Sequence, residues 1–200
     1  FDGKKLRRLN LSEIGQIAGR AGRYLNDGSF GITGECKEIT AEDVDLLENH
    51  KFEEIRTLFW RNSNLNFNNS SSLIKSLDEK PHMEWLRKIH ECEDEKALKY
   101  FLKDTNFINL KFNEKTLSLL WECCQIPDFV KKTYGNHYEV IGSVFKFLSS
   151  DKRVISNDYM RLQLLKLDKL DGNVDSLSNR IANVRTWSYV SNKNNWVENQ

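Results

Sequence analysis

The sequence predicts a mostly α-helical chain, in which a short α/β segment precedes a larger helical domain. Apolar residues recur at helical spacing through most of the chain after about residue 70. Proline, which interrupts helices, occurs only at Pro81 and Pro127. The stretch 61–72 (RNSNLNFNNSSS) has the Asn- and Ser-rich composition that is typical of a loop. We therefore divide the chain into residues 1–55, a linker at 56–80 and a helical domain at 81–200.

The first predicted helix carries residues 16–23, which read Gln-Ile-Ala-Gly-Arg-Ala-Gly-Arg. A helix turns by about 100° per residue, so Gln16, Arg20 and Arg23, at i, i+4 and i+7, share one face. Ser12 is the predicted N-cap, and Glu13 favours the first turn. The opposite face is expected to pack on a core; it consists of Ile14, Ile17, Ala18 and Ala21.

Glycine and arginine in this pattern point to phosphate chemistry. Gly19 and Gly22 each cost a helix interior about 1 kcal/mol relative to alanine, and close approach of a ligand or another backbone is the usual reason for such residues. The planar fork of arginine holds two phosphate oxygens and stays charged. In phosphoryl transfer, arginine stabilises charge on the γ-phosphate. The predicted ATP-binding residues are Gln16, Gly19, Arg20, Gly22 and Arg23, with Arg20 and Arg23 catalytic.

Further elements follow in order along the chain. Residues 28–33 predict a short strand, and Thr40 begins a second helix with Asp43 placed as the acid of a capping box. The segment 85–102 supplies one or two helices, and we expect the apolar faces of all later helices to pack together. The later caps and stripes are Asn113 before Leu117, Leu120, Trp121 and Cys124; Ile141, Val144, Phe145 and Leu148; Ser156 before the run at 160–170; and Asn173 before Val174, Leu177, Ile181 and Val184.

The segment 16–23 resembles the last conserved motif of superfamily-two helicases. Residues 1–3 (FDG), 9–14 and 28–33 (GSFGIT) resemble the DExH RNA helicases, and among them the mitochondrial degradosome helicases and their bacterial relatives. Similarity to alpha-proteobacterial members of that branch continues in 60–63 (WRNS), 121–129 (WECCQIPDF) and 171–190 (ending RTWSYV). The resemblance covers most of the chain, although only the first motif is specific in its chemistry.

This resemblance implies that residues 1–55 are the C-terminal part of a second RecA-like domain, followed by a helical accessory domain. It implies that Gln16, Arg20 and Arg23 contact ATP across the cleft between two RecA-like domains. The 200 residues contain neither a G-x-x-x-x-G-K-[ST] phosphate loop nor a D-E-x-H motif, so Mg²⁺ and the β-phosphate would be bound elsewhere. We therefore expect a C-terminal fragment of a longer helicase, which by itself neither hydrolyses ATP nor unwinds RNA.

The same resemblance implies RNA and the upstream helicase domains of the same chain as partners, in a bacterial cytoplasm. A nuclease is left open as a further partner. The net charge is +1, so any contact with RNA must come from local patches rather than from a bulk field. No run approaches 18 uninterrupted apolar residues, so neither a membrane-spanning helix nor a membrane partner is predicted.

The cysteines and histidines predict no metal site. The chain has four of each, and no two cysteines form a C-x-x-C pair. Reduced thiols in the cytosol are the simpler interpretation. The residues concerned are Cys36, Cys92, Cys123 and Cys124, with His50, His82, His90 and His137.

Aromatic and basic residues suggest a second candidate surface, for single-stranded RNA. Trp187 with Arg180 and Arg185, and Trp60 with Arg61, could offer stacking faces and phosphate contacts. The alternative is structural: Trp121 and Trp187 lie beside apolar helix faces, which favours burial, and the arginines suit ordinary ion pairs.

Two other classes of function stay open from the residues. One is a non-enzymatic helical adaptor or RNA-binding module, in which an inherited helicase helix only packs. The upstream sequence of such a protein would lack a phosphate loop and an acidic metal motif. The other is a DNA helicase of the same superfamily, because the distinction from RNA rests on 2′-OH contacts that neither motif nor charge reveals.

Overall fold

A computed structural model describes residues 7–22, 26–34, 36–104, 107, 112–129, 134–167 and 174–198 of the protein. These residues are mostly helical, as the apolar periodicity predicts. They form two compact units, residues 1–58 and residues 59–200. The elements in chain order are α1 (Leu11–Ala18), α2 (Ala41–Glu48), β1 (Leu58–Trp60), α3 (Ser70–Leu77), β2 (Leu86–Lys88), α4 (Glu93–Lys103), α5 (Glu114–Cys124), α6 (Tyr134–Leu148), α7 (Asn157–Leu167) and α8 (Val174–Ser191).

In the first unit, α1 and α2 approach each other through a glycine. A Cβ built on Gly15 would stand 2.6 Å from Cζ of Phe52 and 3.6 Å from a methyl carbon of Leu47. Leu47 is buried, whereas no residue of α1 is buried and Ile17 is 60% exposed. The predicted core face of α1 is therefore wrong at Ile17. An eight-residue helix packs here through its smallest residue, which lets the neighbouring side chains come close.

The predictions for residues 28–43 have mixed outcomes. Thr40 is the N-cap of α2 as predicted, and its Oγ1 accepts the Asp43 N–H at 3.1 Å. The predicted strand at 28–33 is wrong, because residues 26–33 have no regular structure. No described strand lies beside them to complete their backbone hydrogen bonds, and their glycines weaken extended pairing further.

Residues 59–80 lie within the second compact unit. The side-chain amide of buried Asn62 donates to the Ser76 carbonyl at 2.9 Å and to Glu79 Oε2 at 2.6 Å. Asn69 caps α3 by accepting the Ser72 N–H at 2.8 Å. The polar composition that predicts a loop is thus used for local side-chain-to-backbone bonds, which hold α3 in place.

The core of the second unit lies among α3, α4, α5 and α6 and extends to α7 and α8 through Met160, Trp187 and Val190. Phe101 and Phe145 are both buried and contact Phe107, with ring centroids 4.8 and 5.8 Å away. Residues 86–88 form strand β2, which pairs with β1, so the segment 85–102 contributes one helix rather than two. The apolar stripes predicted for α5 and α6 are confirmed; their buried members are Leu117, Leu120, Trp121, Cys124, Ile141, Val144, Phe145 and Leu148.

Predicted caps are confirmed for two helices of this unit. Asn113 caps α5 through a reciprocal pair of bonds with Thr116, and the Ser156 hydroxyl accepts the Tyr159 N–H at 3.3 Å at the start of α7. Asn173, the predicted cap of α8, lies outside the described residues. After α8 the chain returns to the start of α7, where Ile155 forms a bridge with Val197. The Ile155 N–H donates to the Trp196 carbonyl at 2.6 Å.

The apolar stripe of α8 differs from its prediction. Helices α7 and α8 contact each other, yet Leu177, Ile181 and Val184 are all about half exposed. On α7, Leu164 and Leu165 are exposed as well. The two helices therefore pack along one edge and leave a groove open between their apolar stripes. Across the described part of the chain, no helix combines the length and apolar character that a bilayer crossing needs.

Candidate functional site

The motif begins on a helix whose start is firmly fixed. Asn10, and not Ser12, is the N-cap of α1: its side chain accepts the Glu13 N–H at 2.9 Å, while the Glu13 carboxylate accepts the Asn10 N–H at 2.9 Å. The Ser12 hydroxyl instead donates to Asn10 Oδ1 at 2.8 Å. The predicted cap is therefore wrong by two residues, because a capping box requires Glu at the third helical position and Glu13 fits only Asn10.

Arg7 strengthens this cap. Its guanidinium donates two hydrogen bonds to the Glu13 carboxylate, of 2.7 and 2.5 Å. The hydrogen bond from Arg7, followed by that from the Asn10 backbone, lowers the pKa of Glu13 to about 2. Glu13 is thus an anion at neutral pH, at the helix end where an anion is favoured.

The helix ends earlier than the motif predicts. Helix α1 stops at Ala18, and Gly19 is its C-cap with φ −63° and ψ −9°. Beyond it, the Arg20 N–H bonds to the Ile17 carbonyl and the Ala21 N–H to the Ala18 carbonyl, at 3.1 and 2.9 Å. These are i to i+3 bonds, so the chain tightens into a turn where glycine no longer supports the α-helix.

Of the three predicted polar residues, the structure describes Gln16 and Arg20, which lie in different elements. Gln16 lies on the last turn of α1 and Arg20 in the turn that follows it, and both are exposed. Among the described residues, none is bonded to the Arg20 guanidinium in the structure. Arg23 lies outside the described residues. Gln16 therefore lies on the helix as predicted, whereas Arg20 lies in the tightened turn after the helix.

Close backbone contact explains two of the glycines. A Cβ on Gly28 would overlap the peptide between Ala21 and Gly22, and a Cβ on Gly22 would stand 2.9 Å from the Asn26 carbonyl oxygen. The segment after the motif thus folds back directly onto the Ala21–Gly22 peptide. Only glycine permits this approach, which fixes the chain one residue after Arg20.

Trp60 and Arg61 both contact other residues of the second unit. Arg61 donates from Nη1 to Asp94 Oδ2 at 2.8 Å, and its guanidinium carbon lies 4.9 Å from the Trp121 ring centroid. Trp60 is half-buried in β1, and its carbonyl accepts the Ile89 N–H at 2.9 Å. The guanidinium of Arg61 is therefore paired with groups of the second unit itself.

Trp187, Arg180 and Arg185 are similarly engaged. Trp187 is 4% exposed and lies edge-on to Tyr159, so its ring offers no open face for base stacking in this structure. Arg180 donates from Nε to the Leu167 carbonyl at 2.7 Å. Arg185 lies over the Phe129 ring, 4.2 Å from its centroid. The burial predicted for Trp121 and Trp187 is confirmed.

Cysteine and histidine chemistry adds no second site among the described residues. Cys123 and Cys124 are buried, and burial raises the pKa of both thiols, which leaves them protonated and weakly reactive. Burial also lowers the pKa of His137, opposed by the nearby Asp128 carboxylate. Within the described ranges, no three His, Cys, Asp or Glu side chains converge as a metal site would require.

Two features of the surface are not evident from the sequence. The apolar periodicity of α7 and α8 predicts a buried interface, because an exposed groove has the same periodicity as a buried face. The role of Asn62, which bonds to residues at the end of α3, is not evident either, because nothing in the sequence distinguishes it from the neighbouring Asn and Ser residues.

No protein-family model matches the chain, and comparisons with curated proteins and with solved structures find no match either.

Proposed function

We propose that the protein is the C-terminal portion of an ATP-dependent RNA helicase, with a RecA-like segment in residues 1–55 and a helical accessory domain after it. In this proposal, Arg20 and Arg23 stabilise the γ-phosphate and Gln16 orients the same surface. The observation that carries it is the Q-x-x-G-R-x-G-R pattern of residues 16–23. Its resemblance to the last helicase motif supplies the reaction class.

The local geometry supports this role. Gln16 and Arg20 are four residues apart and both are exposed. The capped helix α1 precedes Arg20, and the close contact between Gly28 and the Ala21–Gly22 peptide follows it. The backbone on both sides of Arg20 is thus constrained, and the planar fork of a guanidinium loses less freedom per hydrogen bond to a phosphate than an ammonium would. The side chains of residues 16–23 include hydrogen-bond donors but no carboxylate. Such donors suit the oxygens of a triphosphate, whereas Mg²⁺ requires acidic ligands. The residues of this motif therefore fit the phosphate part of the nucleotide, and the metal would depend on other residues.

Kinetics of the full-length protein test the proposal. We expect Arg20→Ala and Arg23→Ala each to lower the kcat of ATP hydrolysis by on the order of 10³, as for an arginine finger. Arg20→Lys would keep the charge but lose the fork, and is expected to stay well below wild type. Arg56→Ala removes an exposed arginine of the same unit outside the motif and should leave kcat unchanged.

A loss below threefold in Arg20→Ala and Arg23→Ala, with unchanged thermal unfolding, would reject the assigned role. Stimulation of ATP hydrolysis by RNA, compared with DNA of the same sequence, separates the RNA helicase from the DNA helicase. An upstream gene sequence without a phosphate loop would favour the non-enzymatic adaptor instead.

A further inference from the structure

An open apolar groove with a volume of about 690 Å³ lies between α7 and α8. On α8 it is lined by Leu177, Ile181 and Val184, which are 56%, 53% and 46% exposed and follow the spacing i, i+4, i+7. On α7 it is lined by Leu164 and Leu165, which are 46% and 60% exposed. Side chains that would normally face a core thus form a continuous surface on two neighbouring helices.

The dimensions suit a helix. Seven residues separate Leu177 from Val184, so the stripe extends for roughly 10 Å, or about two helical turns. Aliphatic side chains from two neighbouring helices make a furrow, into which a third helix can insert apolar anchors. Contiguous apolar surface of this kind commonly marks an interaction site.

The charged side chains in the described lining of the groove are all positive. Its described lining includes Arg161 and Arg185 and contains neither Asp nor Glu. Arg161 is exposed, and Arg185 is placed by its stacking over Phe129, which leaves its positive charge intact. Arg180, also in the lining, donates to the Leu167 carbonyl and so ties the end of α7 to α8. A cationic border favours an occupant with carboxylates beside its apolar stripe.

We propose that this groove is the docking site for an amphipathic helix of a partner protein, with Asp or Glu flanking the apolar stripe of that helix. The leucine, isoleucine and valine side chains bind the stripe, and Arg161 and Arg185 select the acidic flanks. The proposal goes beyond the helicase function and does not rest on it.

The test uses the 200-residue chain and two labelled peptides of about five helical turns. Both carry leucine at i, i+4 and i+7; one has glutamate at the flanking positions and the other lysine. By fluorescence anisotropy, we expect the glutamate peptide to bind at least about tenfold more tightly, and added salt to reduce the difference. Leu165→Ser should weaken binding by about tenfold.

Leu162→Ser is the matched control, because Leu162 is 57% exposed on the same helix but does not line the groove. It should leave the affinity unchanged. Arg161→Glu combined with Arg185→Glu should reverse the preference, so that the lysine peptide binds more tightly. If the double variant does not fold, Arg161→Glu alone should reduce the preference for the glutamate peptide. Equal affinity for both peptides, or no saturable binding up to about 1 mM, would overturn the proposal. So would a dimer in sedimentation that Leu165→Ser dissociates, since the occupant would then be a second copy.

Discussion

Arg61 and Asp94 form a partly buried ion pair, with Nη1 and Oδ2 2.8 Å apart and side chains only 28% and 17% exposed. The pair joins the chain after β1 to the first turn of α4, and the Trp121 ring of α5 lies against the guanidinium. One arginine therefore holds together three parts of the second unit.

Removing either partner should destabilise this unit. We expect Arg61→Ala or Asp94→Asn to lower the free energy of unfolding by about 1–3 kcal/mol, because the remaining polar group stays shielded without its partner. Urea unfolding measures the change. Glu93→Gln is the control: it breaks the more exposed pair with Lys96 and should cost below about 0.5 kcal/mol. If the protein binds RNA as proposed, weaker RNA binding of Arg61→Ala with unchanged stability would instead assign Arg61 to a surface that contacts RNA.

Gly28→Ala should loosen the segment that follows the arginine motif. The added methyl group overlaps the Ala21–Gly22 peptide, so the two backbone segments must separate. Hydrogen exchange followed by mass spectrometry should become faster in peptides covering residues 19–30. Gly31→Ala is the matched control, since nothing lies within 4 Å of its new methyl group. Equal exchange in the two variants would show that the close approach does not stabilise the turn.

The start of α1 should depend on pH through Glu13. Its pKa is lowered to about 2 from 4.5, mainly by the bond from Arg7, so its stabilising contribution is complete above pH 4.5. As pH falls from 4.5 to about 2, protonation releases both Arg7 and the Asn10 N–H, and the first turn should fray. NMR titration of the Glu13 carboxyl carbon measures this pKa. In Arg7→Ala it should rise towards 4.5; an unchanged value would contradict the assigned cause.

Two tryptophans distinguish a core role from a surface role. Trp187 is 4% exposed, and Trp187→Ala should lower the free energy of unfolding by about 3–5 kcal/mol, through lost burial and the cavity left behind. Trp85 is 50% exposed, and Trp85→Ala should cost less than about 1 kcal/mol. Thermal or urea unfolding compares them. A stable Trp187→Ala protein that has lost RNA affinity would reverse the structural assignment of Trp187.

Periodicity predicted the second unit well where burial is complete. The stripes of α5 and α6 were predicted residue by residue, because a helix buried on one side must repeat its apolar residues about every 3.6 positions. Asn113 and Thr40 were predicted as caps, since their side chains satisfy backbone N–H groups that no helix can satisfy internally.

The failures have specific physical causes. Periodicity states which side of α8 is apolar, but it does not state whether another element covers Leu177 and Ile181. Composition predicts a loop at 61–72, which is right for 61–69 and wrong for 70–72, where α3 begins; it does not reveal that Asn62 and Asn69 bond to the backbone there. In the motif, residue spacing predicted a continuous helix, but the glycine at position 19 ended it after eight residues.

The bridge between Ile155 and Val197 has a consequence for how the protein folds. This bridge and the bond from the Asn157 N–H to Glu198 Oε2 join residues 42 and 41 positions apart, one before or at the start of α7 and the other after α8. Closing so long a loop costs entropy before any contact repays it. Burial of Trp196, which lies in this closure and is 6% exposed, should therefore be a late event in refolding. In a variant whose other four tryptophans are replaced by phenylalanine, its fluorescence would time this closure separately from the collapse of the core around Phe101, Phe107 and Phe145.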